Sequence, residues 1–206
     1  MTRTILTGLV LLLAAPALCA DELPFVQVAA HAGYRAGGSL EDSTTGADRD
    51  FDEGESFAAA LEFRYRKGDR RYYQLWYSRQ ASAVDDGLLT FDVDIEYLHL
   101  GGTIPIGEHE RAQPYFAAGL GATRFSSSEP GASDRTRFSG SAAFGIEVPL
   151  AERAALRLEA RGYLTAVDSD SAIFCRSDNG SGFCRIVASG STIFQAEVLA
   201  GIAFRF

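Results

Sequence analysis

The chain has 206 residues, of which 47% are hydrophobic and 22% are charged, and its formal net charge is -8 with a pI near 4.9. This acidic balance argues against nucleic acid as a partner, because phosphate contacts need clustered Lys and Arg. Beyond the N-terminal residues no run approaches the ~20 apolar residues of a membrane helix, so any crossing of a membrane must use strands.

The N-terminus has the pattern of a secretory signal peptide over residues 1–20. Arg3 supplies a positive start, residues 5–15 form an apolar core, and small residues precede Asp21. The apolar core is too short to span a membrane and is excluded from the fold. We expect one exported domain over residues 21–206.

The three cysteines have different predicted roles. Cys19 raises the alternative of a lipoprotein, but the bulky Leu18 before it makes a poor lipidation motif. Cys175 and Cys184 flank a short polar stretch, and in an exported chain this spacing favours a disulfide that stiffens a loop. Redox and zinc sites are less favoured, since they need a tighter spacing or more ligands.

Alternation of apolar with polar or small residues predicts strands throughout the mature chain. The last strand is the clearest, with Phe194, Phe204 and Phe206 in one row and Glu197 and Arg205 in the other. Its length suits a tilted crossing of a bilayer. The eight predicted strands cover residues 25–36, 57–66, 71–80, 88–104, 114–125, 137–148, 155–167 and 192–206.

Two details of these strands lead to specific expectations. Tyr and Trp are dense in the third strand, which suggests an interfacial aromatic girdle. In the fourth strand Leu98 and Leu100 break the alternation, which predicts either a β-bulge or a position at the edge of the membrane there.

The connections between the predicted strands alternate in length. Those after odd-numbered strands are mostly long and rich in Asp, Ser or Gly, and those after even-numbered strands are short. In an up-and-down barrel the two kinds lie at opposite rims, as in outer-membrane barrels with short periplasmic turns. Residues 37–56 read as a solvated acidic loop, and residues 168–191 form the last loop.

With the apolar rows outward, the polar rows would fill the interior, which in an eight-stranded barrel is just wide enough for side chains. Acids and bases are both plentiful there, so we expect an ion-pair plug, because unpaired buried charges are costly. The alternative is a narrow polar conduit with Arg and Glu as gates. The predicted lumen charge network comprises Arg35, Glu62, Arg64, Asp92, Asp94, Glu96, Arg157, Glu159, Arg161 and Glu197.

One segment has a spacing that suggests a metal site. Asp48, Asp50 and Asp52 are spaced as in a calcium loop, but Gly54 falls one position late and Ala59 stands where a bidentate Glu belongs. The match therefore fails, and we expect no metal site. Weak binding of divalent ions near lipopolysaccharide is the alternative.

The histidines do not indicate an active site. His31, His99 and His109 are scattered along the chain, and no Gly-x-Ser-x-Gly elbow accompanies them. A hydrolase needs a nucleophile or paired carboxylates beside an oriented His. We expect neither an enzyme nor a cofactor.

The segment 114–116 with the glycines after it, together with the terminal segment 203–206, resembles small outer-membrane β-barrel proteins of Gram-negative bacteria. The OmpA transmembrane domain, OmpX and OmpW belong to this class. The resemblance implies an all-β fold, an eight-stranded antiparallel up-and-down transmembrane β-barrel in the cell outer membrane. It also implies that Phe204 and Phe206 are recognised by the barrel-assembly machinery, with outer-membrane lipid and lipopolysaccharide as surroundings and a monomeric state.

Three functions are compatible with the sequence. The first is a structural or surface-interaction role for an integral outer-membrane protein with a plugged lumen. The second is a narrow channel for small solutes across the outer membrane. The third is a soluble periplasmic barrel of lipocalin type, in which the apolar rows would turn inward. Fold alone does not choose among functions.

Overall fold

The computed structural model describes residues 25–42, 48–50, 52–85, 90–107, 109, 111–127, 134–167, 172–178, 181–187 and 192–206. The predicted signal peptide therefore lies outside the described residues. The strands in chain order are β1 Val26–Ala36, β2 Ser39–Asp42, β3 Asp48–Asp50, β4 Gly54–Arg64, β5 Tyr72–Asp85, β6 Thr90–Pro105, β7 Gln113–Ser127, β8 Arg135–Ala151, β9 Ala154–Ala166, β10 Ala172–Asp178, β11 Ser181–Val187 and β12 Thr192–Arg205.

Eight of these strands close into a barrel in the order β1-β12-β9-β8-β7-β6-β5-β4. Every neighbouring pair is antiparallel, and the barrel closes where β1 pairs with β12. The pairing runs to the end of the chain, because the amide of Phe206 donates to the carbonyl of Val26 at 2.9 Å. The prediction of an eight-stranded antiparallel barrel is confirmed.

Short turns join the barrel strands at one rim. In the turn between β4 and β5, Gly68 has a φ of 80°, a conformation that favours glycine. Asp69 accepts hydrogen bonds from the backbone amide of Arg71 at 2.9 Å and from its guanidinium at 2.6 to 3.0 Å. These bonds lower the pKa of the part-exposed Asp69 to about 2. Long connections lie at the other rim.

Burial alternates residue by residue along the barrel strands. On β12, Phe194, Val198 and Phe204 are exposed, whereas Gln195 and Glu197 are buried. The exposed apolar row faces lipid, and the polar row faces the lumen, as in membrane barrels. This arrangement is opposite to that of a soluble lipocalin-type barrel, so the third reading of the sequence was wrong. None of the described residues forms a helix long and apolar enough to cross a membrane.

The long connections contain strands that the sequence did not predict. Residues 37–56 and 168–191 were expected to be loops, but β2, β3, β10 and β11 form a four-stranded sheet in the order β10-β11-β2-β3. The two connections lie beside each other because β4, β1, β12 and β9 are consecutive in the barrel. Backbone pairing of Asp42 with Ile186 joins them. We call this element the loop sheet.

Two expectations about individual strands need correction in part. β6 pairs with β5 and β7 without a register shift, so of the two alternatives at Leu98 and Leu100 the bulge is absent and the membrane-edge position stays a prediction. Both leucines are exposed on the outer face, and their row faces outward along the whole strand. On β5, Trp76 is 1% exposed and faces the lumen, so it does not belong to an interfacial girdle, whereas Tyr73 and Tyr77 are exposed.

Candidate functional site in the barrel lumen

The lumen is filled by polar side chains that bond across it. We call the cross-bonded set, Arg35, Glu62, Glu147, Arg157, Glu159, Arg161 and Glu197, the lumen network. All seven are buried. Several of their contacts join strands that are not neighbours in the barrel, and such contacts must cross the interior.

The level nearest the short turns centres on Arg157 of β9. Its Nη2 donates to Glu62 of β4 at 2.7 Å, and its Nε donates to Glu147 of β8 at 2.7 Å. Glu147 also accepts from Gln27 at 2.8 Å and from Arg205. Each charge at this level has at least one opposite charge, which offsets the cost of its burial.

The next level centres on Arg161, four residues further along β9. Its Nε donates to Glu159 at 2.8 Å, and its Nη2 donates to Gln74 on the far side of the lumen at 3.2 Å. Its guanidinium carbon lies 3.8 Å from the ring centroid of Trp76, a cation–π contact. The hydroxyl of Tyr115 donates to Glu159 at 2.7 Å. Gln74 also donates to Glu62 at 2.9 Å, and this bond links the two levels.

The level nearest the long connections centres on Glu197 of β12. It accepts from Arg35 at 2.9 Å, from Ser78 at 3.1 Å and from Tyr163 at 2.5 Å. The indole of Trp76 donates to the hydroxyl of Tyr163 at 3.0 Å, so this level is bonded to the one below. The lumen network is therefore one connected set along the barrel axis.

His99 lies between two serines in the lumen wall. Its Nδ1 is 2.9 Å from the hydroxyl of Ser141, and its Nε2 is 2.8 Å from that of Ser139. The ring packs against Gly121, where an added Cβ would come within 2.8 Å of it. Both ring nitrogens are thus used in a buried contact between β6 and β8.

Not every predicted member of the charge network lies in the lumen. Asp94 and Glu96 point outward, which corrects the prediction for them. Arg79 donates to Asp94 at 2.8 Å, and Arg124 lies 3.6 Å from Glu96. These pairs join neighbouring strands on the outer surface, above the apolar row. The error came from the phase of β6, because Val93, Ile95 and Tyr97 occupy the lumen instead.

The remaining predicted residues are placed as follows. Arg64 is buried on the inward row of β4 and lies 5.9 Å from the ring centroid of Tyr72. The side chain of Asp92 lies outside the described residues. Cys175 and Cys184 are directly opposed in the β10–β11 backbone register. Their disulfide stays a prediction.

Sequence reasoning found only part of the aromatic lumen: the alternation of β9 puts Tyr163 on the inward row with Glu159 and Arg161, whereas Tyr97 was not expected there. The rings of Tyr97 and Tyr163 stack with centroids 4.0 Å apart, and the guanidinium of Arg35 lies 4.9 Å from the Tyr97 ring. Tyr97 was assigned to the lipid row because it continues the alternating row of Phe91, Val93 and Ile95. One sequence signal pointed to the correct facing. Leu98 and Leu100 lie in the row opposite to Tyr97, so assigning these leucines to the lipid face would have placed Tyr97 in the lumen.

Within the described part of the chain, no group of three or more His, Cys, Asp and Glu side chains is placed to hold a metal ion. Asp48 and Asp50 of the failed calcium-loop match lie on β3. Phe51 between the predicted ligands lies outside the described residues. The expectation of no metal site is unchanged.

Solved structures with the same fold are outer-membrane proteins. Neisserial surface protein A is 14% identical with a TM-score of 0.62, and the alignment covers 90% of this chain and all of that one. The outer membrane protein AlkL, solved in lipid bilayers, is 15% identical with a TM-score of 0.60 over 94% of this chain and 96% of that one. OprG from Pseudomonas aeruginosa is 13% identical with a TM-score of 0.56 over 89% and 97%. At these identities the likeness establishes the fold.

The sequence itself matches a family model. The model describes an outer membrane protein beta-barrel domain and matches residues 7–182. A search of curated protein sequences gave no match. The protein is located in the cell outer membrane. This location is supported by the lipid-facing apolar rows, by the closed barrel and by the match to the family model. The chain therefore belongs to the outer membrane protein beta-barrel family.

Proposed function

We propose that this outer-membrane barrel has a structural or surface-interaction role and that its lumen is plugged by paired charges. The observation that carries the proposal is the lumen network, which bonds opposite walls at three successive levels. The bond from Arg161 to Gln74 spans strands on opposite sides of the barrel. A conducting pore would need these bonds to break, at a cost of several kcal/mol per buried ion.

The loop sheet supports the surface-interaction part of the proposal. Loops usually carry function when a rigid scaffold positions them. Here the barrel places two long connections side by side, and their strands pair. The sequence of these strands is acidic, with Glu41, Asp42, Asp48 and Asp50 on β2 and β3. A predicted disulfide between Cys175 and Cys184 would stiffen the same sheet.

The proposed surroundings of the protein follow from its outer face and from its C-terminal strand. Outer-membrane lipid contacts the apolar rows, and lipopolysaccharide meets the outward ion pairs such as Arg79 with Asp94. The barrel-assembly machinery is the proposed partner of the C-terminal strand through Phe204 and Phe206. We also propose that the protein is a monomer and binds no cofactor. We propose no catalytic role, since both ring nitrogens of His99 are occupied by contacts with serine hydroxyls that are buried within the wall.

Conductance in planar lipid bilayers tests the plug. We expect no steady unitary currents from the wild-type protein. The paired substitution Glu159→Ala with Arg161→Ala removes the middle level and should produce intermittent currents. The matched control is Arg79→Ala with Asp94→Ala on the outer surface, which should stay silent. Steady wild-type currents that change on substituting Glu159 or Arg161 would instead establish the narrow channel.

A further inference from the structure

A depression interrupts the lipid-facing wall of the barrel on β7, β8 and β9, and we call it the wall depression. Its volume is about 590 Å³, and ligand sites in proteins typically measure about 300 to 1,000 Å³. Among the described residues that line it, Ser141 alone has a polar side chain, and its hydroxyl already contacts His99 and Arg161. The wall depression therefore suits an apolar ligand.

Small residues form the floor of the wall depression, because they lie at the same level on adjacent strands. Ala118 pairs with Ala142, and Ala142 pairs with Gly162. All three lie on outward rows, so β7, β8 and β9 present no large side chain to lipid at this level. Phe116 and Phe144 are also paired, and their exposed rings bound the floor on the side of the short turns.

The side toward the long connections is bounded by a ridge with a gap. Leu120, Gly140 and Leu164 are directly paired there, and both leucines are exposed. At Gly140 an added Cβ would lie 3.0 Å from Cδ2 of Leu120. At Gly162 an added Cβ would lie 3.3 Å from the ring of Phe194. Large side chains thus lean over both glycines, and the gap in the ridge lies on β8.

The wall depression lies in the half of the bilayer on the side of the long connections. On β8 the exposed apolar row extends from Phe138, near the long connections, to Leu150, near the short turns. Gly140 and Ala142 follow Phe138 directly on this row. Long connections of outer-membrane barrels face the cell exterior, and the lipid of that leaflet is lipopolysaccharide. The hydrocarbon beside the wall depression therefore consists of lipopolysaccharide acyl chains.

We propose that the wall depression binds one acyl chain of the lipid A part of lipopolysaccharide. The depression is continuous with the lipid-facing rows, and no water is present at that depth to fill it. An empty depression would leave its lining without dispersion contacts, whereas an acyl chain supplies them. Packing of this kind, and not the hydrophobic effect, drives association inside a bilayer. A second barrel would present a convex wall, which would cover the depression without filling it.

Native mass spectrometry tests the proposal on protein extracted from outer membranes in octyl glucoside and titrated with lipid A. We expect saturable binding of one lipid A molecule. Ala142→Phe and Ala118→Phe fill the wall depression, and each should weaken this binding by about tenfold, the scale expected when roughly ten dispersion contacts are lost. Both alanines are exposed on the lipid face, so the variants should fold, and heat-dependent gel mobility verifies this.

Ala59→Phe is the control, because it makes the same change on β4, which lies opposite β8 in the barrel. Ala59 is exposed and lies two residues from the exposed Phe57, so its depth is comparable with that of Gly140 below Phe138. This variant should bind lipid A as the wild type does.

The proposal rests on the proposed contact with lipopolysaccharide and not on the plug. Contact with lipopolysaccharide that does not use this site would appear as lipid A binding that Ala142→Phe and Ala118→Phe leave unchanged, and this result overturns the proposal. So does the absence of saturable lipid A binding to the wild type. Equally tight and equally sensitive binding of dioleoyl phosphatidylethanolamine overturns the assignment to lipid A. A dimer that Ala142→Phe dissociates would assign the wall depression to a second copy instead.

Discussion

At the scale of single residues, Glu62 shows how the lumen network depends on complete pairing. Its carboxylate accepts from Arg157 at 2.7 Å, from Gln74 at 2.9 Å and from Thr103 at 2.6 Å. Removing it leaves three buried donors short of an acceptor, one of them charged. Such a loss costs more than the intact contact contributes, because the orphaned groups stay desolvated.

We therefore predict that Glu62→Ala lowers the free energy of unfolding by about 3 kcal/mol or more. Urea unfolding in lipid vesicles measures this change. The matched control is Asp94→Ala, which breaks the exposed outer pair with Arg79 and should cost less than about 1 kcal/mol. Equal costs at the two sites would contradict the picture of a buried network.

The outer row allows a second prediction at the residue scale. Val198 lies in the middle of the exposed row of β12, whereas Thr192 lies at the end of the same row. We predict that Val198→Arg lowers the free energy of unfolding in vesicles by about 2 to 4 kcal/mol, because a charge near the bilayer midplane must be desolvated. Thr192→Arg should cost about 0 to 1 kcal/mol. A reversed order would place the bilayer elsewhere on the barrel.

At the scale of elements, β12 combines closure with recognition. The carbonyl of Phe206 accepts from the amides of Phe25 at 3.0 Å and Val26 at 3.3 Å, so the backbone of the last residue completes the seam. The side chains of Phe204 and Phe206 stay exposed. The seam therefore uses main-chain groups and leaves the aromatic rings available to a partner.

From this separation we predict that Phe206→Ala reduces the fraction of protein assembled in the outer membrane of cells. Refolding of the same variant into vesicles should match the wild type, because its seam hydrogen bonds are made by the backbone. Gel mobility before and after heating measures assembly in both cases. An equal loss in cells and in vesicles would mean that the ring acts through stability.

The hairpin of β10 and β11 supports a prediction about the loop sheet. Cys175 and Cys184 are opposed in its register, so a disulfide would link the two strands. We predict that the intact mass of the purified protein is lower than that of its reduced form by two hydrogen atoms. Cys175→Ser with Cys184→Ser should speed protease cleavage between the strands and leave the barrel intact. Unchanged mass on reduction would disprove the disulfide.

The strands also show what could be predicted from the sequence. Lipid and lumen impose alternation on every barrel strand, so the eight strands were located to within a few residues. The facing of β6 was predicted wrongly because Phe91, Val93 and Ile95 read as a lipid row, whereas Val93 and Ile95 are buried in the lumen. The pairing of Glu62 with Arg157 was not predictable, since barrel closure brings together residues from β4 and β9. The loop sheet was missed because its strands are short and acidic.

At the scale of the whole molecule, the sorting of side chains reverses that of a soluble protein. Large apolar residues are exposed around the barrel, while Arg35, Arg157 and Arg161 are buried within it. Removing lipid or detergent would expose the outer rows to water, at about 25 cal/mol per Å² of apolar surface. We therefore expect the molecule to need a bilayer or a detergent in its place to stay folded.

The loop sheet depends on the order in which the barrel is completed. Asp42 lies in the connection after the first barrel strand, and Ile186 lies in the connection before the last. These segments become neighbours only when β12 has docked against β1. We thus expect an antibody that requires both segments to bind finished molecules and to ignore those stalled during insertion.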